Sequence, residues 1–360
     1  MRRPGKIVET GSFFSPLNIH VSVSTPVADI EAVLDESGPD YADFTFERPG
    51  SGHQSDVFMV TLQHSGANYE VVVKFEPADM ESFAVEPKLH GYVAERTDIP
   101  VPEILVFKDD PDFDVRPYFV TARLEGDNLA SAYAALSMAD RERVIEQAGR
   151  ILGDLHSEIA FEAFGWLDLW EDRMIVRDLT GSWREYFEQL TDSHIDRIAQ
   201  TPFTDLQGRA RDSLEPVLSL VPEDGVPRLV HDDFRPANLL FDLELDDPIT
   251  AVLDWQDVLA ALPEYHLAQT EFLFIDSSFQ DPEVRDRLRE ALYEGYQSQR
   301  AFEFDRSYTS RRPIYQLSTL LWRMGGFEGA FGDESGLSRA RAEAQYREEF
   351  ERLVSALPRA

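Results

Sequence analysis

The sequence predicts an α+β chain of two lobes, one built on strands and one mainly on helices, and three observations carry that prediction. From Tyr41 to about residue 125, short apolar runs alternate with Gly- and Pro-bearing breaks, the pattern of strands and turns. Beyond Gly126 the apolar residues recur at helical spacing. Inside that helical half, the runs Leu239–Leu243 and Ile249–Leu253 flank the acidic, Pro-bearing segment Glu244–Pro248 and read as a β-hairpin. A chain of 360 residues is long enough to give each lobe a core.

Residues 1–24 carry no helical period and suggest no function. Val27–Glu36 has the pattern of a short amphipathic helix, stopped by Ser37-Gly38-Pro39, so residues 1–40 are expected to form an extension with one helix. FTFERPGSGHQSDVFMVTLQ then reads as strand, turn, strand. Its Gly50-Ser51-Gly52 turn is able to lay backbone N–H groups against phosphates, although most such turns are only turns. NYEVVVKFEP is a further strand and carries Lys74 behind three valines. An ammonium there either turns to solvent, as strand lysines often do, or reaches for the phosphates of a nucleotide. RPYFVTARLEGDNL closes the first lobe as a strand.

In the second half, MADRERVIEQAGRILGDLHSEI places Val144, Ala148, Ile151, Leu152 and Leu155 on one helical face, with His156 closing the pattern as a structural histidine. Trp166, Trp170 and Trp183 follow closely, a density typical of helix-packing core, with at most one expected to line a substrate pocket. The C-terminal third, from ALYEGYQSQRAF to RAEAQYREEFERLVSAL, is helical with aromatic anchors.

The formal net charge is −33, and the 34 basic residues divide into four lysines and 30 arginines. Such an acidic, Lys-poor balance is expected of a protein kept soluble in concentrated salt, where the Debye length shrinks to a few Å. It argues against nucleic acid and anionic membrane as partners, since neither would meet a basic patch. The absence of cysteine removes disulfides, thiol catalysis and zinc-thiolate sites. No apolar run is long enough to span a bilayer and the N-terminus lacks an apolar signal region, so a cytoplasmic location is expected.

The chemistry concentrates in the hairpin. Folding it about Asp246 places Asn238 opposite Asp254, and directly opposed side chains lie about 5 Å apart at Cβ. A carboxylate and an amide oxygen meeting beside a cleft suit Mg²⁺, which takes oxygen donors and shares its shell with waters and substrate phosphates. Phosphoryl transfer also needs a carboxylate not spent on metal, to orient the attacking hydroxyl, and Asp233 stands upstream for that role. A solvated acidic hairpin is the plainer reading of three such residues taken alone; the His231-x-Asp233-x4-Asn238 spacing weighs against it.

HDDFRPANLLF followed by AVLDW resembles the catalytic signature of the aminoglycoside phosphotransferase and choline kinase family. The resemblance implies a bilobal protein-kinase-like fold: a nucleotide-binding lobe over residues 41–125, with an antiparallel sheet plus a helix, and a mainly helical lobe over 126–360 holding the catalytic hairpin. It implies Asp233 as catalytic base, His231 as organiser of its loop, and Asn238 and Asp254 as Mg²⁺ ligands. Lys74 would hold nucleotide phosphates with Glu86 as its partner, although Pro87 beside Glu86 leaves Glu81 as another choice. Backbone groups around Ala122–Leu124 would hold the base, a mode that does not distinguish ATP from GTP. In PEYHLAQ, His266 replaces the aspartate that braces the catalytic loop in the family. Asp257 and Glu264 either contact a cationic substrate or form solvated surface. The implied function is transfer of the γ-phosphoryl of a nucleoside triphosphate to a hydroxyl of a small molecule. The alternative, resting on His266 and Pro87, is a kinase-fold protein that binds nucleotide or metabolite without transfer. Protein phosphorylation fits less well, as Asp254-Trp255 runs almost straight into Pro263 with no activation segment.

Overall fold

The computed structural model describes residues 26–37, 41–48, 56–77, 83–111, 115–170, 173–332 and 334–359. Two compact units are distinguished, one of residues 1–39 with 112–115 and one of residues 40–111 with 116–360. In the first, helix α1 spans Pro26–Ser37.

The second unit begins with an antiparallel sheet of β1 (Asp43–Glu47), β2 (Asp56–His64), β3 (Ala67–Phe75), β4 (Ile104–Lys108) and β5 (Tyr118–Ala122), in the order β1-β2-β3-β5-β4. Helix α2 (Val85–Ala94) lies between β3 and β4 in sequence. β3 is flanked on both sides, pairing Lys74 with Val57 of β2 and Phe119 of β5, so this strand cannot shift without breaking two ladders.

After β5 the chain passes Gly126, whose φ of 124° only glycine adopts readily, and where a Cβ would run into Thr250 Oγ1 and crowd the Phe241 backbone. The short strand β6 (Asp127–Asn128) and helices α3 (Leu129–Ala132) and α4 (Met138–Glu158) follow. Ser137 caps α4 by accepting from the Asp140 N–H. The tryptophan-rich stretch forms a hairpin, β7 (Phe164–Trp170) and β8 (Arg173–Thr180), and helix α5 (Trp183–Arg197) comes next. The expected helical packing of the tryptophans holds for Trp183 and is corrected for Trp166 and Trp170. Trp183 is fully buried on α5, whereas Trp166 sits half-buried on β7 and Trp170 is 66% exposed at its end.

Helix α6 (Gln207–Leu214) leads to β9 (Arg228–His231), then to β10 (Leu239–Phe241), β11 (Ile249–Val252) and β12 (Val258–Ala261). β10 and β11 form a small sheet with β6, and β12 pairs with β9 and β7. The last third is helical: α7 (Pro263–Thr270) running into a π-helical turn (Glu271–Asp276), then α8 (Pro282–Gln299), α9 (Arg306–Gly325), α10 (Phe327–Phe331) and α11 (Gly336–Ala356). Helices α4 and α8 touch backbone to backbone. A Cβ on Gly295 would collide with the Glu146 carbonyl, and one on Gly149 would lie 2.8 Å from the Tyr296 nitrogen. No helix among the described residues is long and apolar enough to cross a membrane.

Candidate active site

Lys74 is buried at 6% exposure and is held by both lobes. Its ammonium donates to Glu86 Oε2 at 2.6 Å, to Asp254 Oδ1 at 2.9 Å and to Gln256 Oε1 at 3.3 Å. Burial alone would push its pKa down; the charges of Asp254 and Glu86 prevail and hold it above the ordinary lysine value. Burial likewise raises Glu86, against the pull of Lys74. Glu86 is the second residue of α2 and Pro87 the third, within the first turn, where backbone N–H groups have no helical partner to lose. The proline is accommodated for that reason. Glu81 and the Gly50, Ser51 and Gly52 turn lie outside the described residues.

The hairpin register differs from the expected one. Leu239 pairs with Val252 and Leu240 with Ala251, after which an irregularity pairs Phe241 with Ile249. Leu253 N–H donates to the Asn238 carbonyl at 2.8 Å, so Asn238 stands opposite Leu253, not Asp254. A one-residue offset in a strand turns a side chain to the other face. Asp254 escapes that consequence because it has left the ladder: its φ is 64°, in the left-handed region that Asp and Asn enter more readily than other side-chain-bearing residues. This bend delivers its carboxylate to Lys74. Burial would raise Asp254, and the Lys74 charge and hydrogen bond overcome it to hold the carboxyl below its usual range.

His231 ties the two halves of the motif together. It is fully buried; its Nε2 donates to the Leu253 carbonyl at 2.9 Å and its Nδ1 accepts from the Asp233 N–H at 3.3 Å. Those partners require the neutral ring, and burial depresses its pKa accordingly. Asn238 donates its amide N–H₂ to Asp233, at 2.9 Å to both the backbone oxygen and Oδ2, which leaves its Oδ1 as the acceptor side. Arg235 Nε lies 2.6 Å from Asp233 Oδ1, an ion pair at an angle that makes no hydrogen bond.

Asn238 Oδ1 and the second oxygen of Asp254, whose side chain is 36% exposed, supply hard oxygen donors of the kind Mg²⁺ takes. Among the described residues no group of three or more His, Cys, Asp or Glu is arranged to hold a metal by itself. One carboxylate and one amide fit an ion whose shell is completed by waters and phosphates better than a dedicated protein cage.

His266 is bound differently from an aspartate. Its Nδ1 lies 3.0 Å from His156 Nε2, and His156 Nδ1 lies 2.9 Å from the Tyr296 hydroxyl, all buried; His266 also approaches the His231 backbone. Burial holds both rings neutral. Glu264 is neither solvated nor free. It is buried, with Arg311 donating to both its oxygens and the Tyr315 hydroxyl donating to Oε1. Asp257 is half-buried, and desolvation followed by the charges of Asp254 and Asp233 raises it to about 6. Ala122 and Leu124 stand at the end of β5, where the Ala122 N–H already donates to the Glu103 carbonyl at 3.0 Å.

Two further groups escaped the sequence reading. Asp232 is 2% exposed and accepts at one oxygen from the Tyr265 hydroxyl (2.7 Å) and Gln269 (2.8 Å); burial raises its pKa to about 7. Tyr265 and Gln269, four apart on one helix face, were a legible signal. Arg235 lies inside the motif itself, and only its contact with Asp233 singles it out.

A profile described as the phosphotransferase enzyme family matches residues 45–306. No match is found among curated protein sequences. Among solved structures, an aminoglycoside phosphotransferase in ternary complex with ADP and hygromycin B is similar at 18% identity, over 89% of this chain and 97% of its own, with a TM-score of 0.57. A second phosphotransferase, in complex with GDP and kanamycin, is 15% identical over 91% and 97% of the chains, with a TM-score of 0.53. A choline kinase from Cryptosporidium parvum is 10% identical over 87% and 90%, with a TM-score of 0.54. At these identities the likeness is one of fold, a bilobal protein-kinase-like architecture.

Proposed function

The chain belongs to the phosphotransferase enzyme family, and on that premise we propose that it transfers the γ-phosphoryl group of a nucleoside triphosphate to a hydroxyl of a small molecule. The observation that carries the reading is the single ammonium of Lys74 bonded to Glu86 and Asp254, which joins the strand lobe to the hairpin at one point. Residues 41–125 hold the nucleotide in this reading and residues 126–360 the acceptor. ATP is the expected donor, and the ADP and GDP complexes among similar folds keep both purines in view.

The division of labour follows from the contacts. Lys74 offers a desolvated positive charge to the α- and β-phosphates. Asn238 and Asp254 would hold Mg²⁺, which when bound neutralises charge on the phosphates. Asp233, fixed by Asn238 and by its N–H bond to His231, orients the acceptor hydroxyl and takes its proton as the new O–P bond forms and the bond to the diphosphate breaks. Arg235 lies against Asp233 Oδ1 as its ion-pair partner on the side away from Asn238. The experiment is release of nucleoside diphosphate from Mg-ATP in the presence of hydroxyl-bearing metabolites, in the parent and in Asp233→Asn. Turnover should fall about 100-fold or more in the variant; equal turnover in the two proteins removes Asp233 from the mechanism.

A further inference from the structure

Four arginines line a single cavity of about 380 Å³ among the last helices: Arg285 and Arg289 of α8, Arg312 of α9 and Arg352 of α11. Among the described residues, the acids in its wall are Asp276, which ends the π-helical turn, and Asp286 of α8. Acids outnumber basic residues 67 to 34 in the whole chain, so a wall of four cations against two anions is a local reversal. None of these residues belongs to the candidate active site.

The arginines are held in place by acids that are themselves buried, Glu271, Asp276 and Glu349. Arg289 is filled by this arrangement: Nε binds Glu271, Nη2 binds Asp276 and Nη1 binds Asp286. The other three are filled only in part. Arg312 donates through Nη1 alone, to Glu271 at 3.3 Å and the Tyr293 hydroxyl at 3.4 Å. Arg285 donates through Nε to the Phe279 carbonyl and through Nη2 to the Asp276 carbonyl at 2.6 Å. Arg352 donates through Nε to Glu349 at 2.7 Å, while its Nη2 is shut off from water without an acceptor. Arg285 Nη1, Arg312 Nε and Nη2, and both terminal nitrogens of Arg352 thus make no hydrogen bond among the described residues. A guanidinium carries five N–H donors in one rigid plane, so fixing part of the fork also fixes the rest. Arginines that only fasten helices together are used more fully here: Arg311 grips both oxygens of Glu264, and Arg347 both oxygens of Asp205.

We infer that this cavity is a binding site for a phosphate group, either the free ion or the head of a small phosphate monoester. Several partly used forks around one space suit a dianion with three or more oxygens, whereas a carboxylate is filled by a single fork. The wall also offers acceptors that an ester's hydroxyls would meet. Pro313, inside α9, has no N–H to give the Thr309 carbonyl, and both residues line the cavity. Gln316, also in the wall, donates Nε2 to Asp276 and keeps its Oε1. Occupancy needs no catalysis, so this site and the kinase reading stand or fall separately.

The test is isothermal titration of the full chain without Mg²⁺ or nucleotide, at an ionic strength held constant with KCl. The probes are inorganic phosphate, glycerol 3-phosphate, acetate and glycerol. The two phosphates should bind saturably and about tenfold or more tighter than acetate, with no heat from glycerol. Equal affinity for both assigns the free ion, and a tighter ester assigns the monoester. Thr309→Glu brings an acid to the cavity at an exposed position near the start of α9 and should weaken phosphate binding about tenfold or more. Thr309→Gln, of the same size, should leave it unchanged. Arg312→Gln should weaken it as well, and Glu271 keeps Arg289, Tyr293 and Tyr308 in that variant, so the fold is retained. Phosphate bound at Lys74 instead would be indifferent to both positions. No saturable binding, acetate held as tightly as phosphate, or parent affinity in either Thr309→Glu or Arg312→Gln overturns the inference.

Discussion

Replacing Asp232 with asparagine isolates the energetic burden of a carboxyl kept in a dry place. In the parent, burial raises this acid from 3.8 to about 7. Between those values the folded protein keeps a proton that the unfolded chain has released, so the parent's stability falls as pH rises through that window. Below about pH 4 both states are protonated and the effect vanishes; above pH 7 it is complete. At 1.36 kcal/mol per pH unit, the part gained between pH 5 and pH 8 is about 2–3 kcal/mol. Asparagine keeps the acceptor that matters, because Tyr265 and Gln269 both donate to the same oxygen of Asp232. Its new N–H₂ group, left without an acceptor, costs about 1–3 kcal/mol, a term that is the same at every pH. Urea unfolding at pH 5, 6.5 and 8 should therefore show Asp232→Asn gaining on the parent steadily as pH rises. Parallel stability curves would refute the reasoning and place Asp232 in contact with water.

Glu86→Gln should lower stability by about 3 kcal/mol, since Lys74 then keeps a buried charge with only Asp254 beside it; chemical unfolding checks this, and a loss below 1 kcal/mol would show the pair to be dispensable. Gly295→Ala should destabilise by about 1–3 kcal/mol through its collision with the Glu146 carbonyl. Gly208→Ala, with open space on α6, should be neutral or slightly stabilising, and equal melting temperatures for the two variants would contradict the close α4–α8 contact. Turnover should rise between 0.1 and 1 M KCl, as the Debye length falls from about 10 to about 3 Å and repulsion between nucleotide and protein is screened; a rate that is flat or falls with salt would show that net charge does not limit the encounter.

Much of this molecule could be read before it was seen. The alternation around Lys74, the helical period of Val144 to Leu155 and the hairpin flanking Pro248 are local patterns, and each element formed where its pattern lay. The misreadings share a cause. Trp166 and Trp170 belong to a hairpin of β7 with β8 that is extended on its other edge by β12, far along the chain, and apolar density alone does not separate strand from helix. The Asn238 register was misjudged by one residue because an irregularity between Leu240 and Phe241 cannot be seen in composition. The fates of Glu264, His266 and Asp232 were set by Arg311, His156 and Tyr265, partners that only tertiary folding brings near.

The backbone at Asp254 bears on how its variants should be interpreted. A left-handed residue tolerates asparagine or glycine, whereas alanine there would add strain of about 1–2 kcal/mol to the loss of the carboxylate. An alanine scan would thus conflate a twisted peptide with missing chemistry and overstate the second. The asparagine exchange removes the charge while keeping an oxygen donor and the bend, and the glycine exchange keeps the bend while removing charge and donor together.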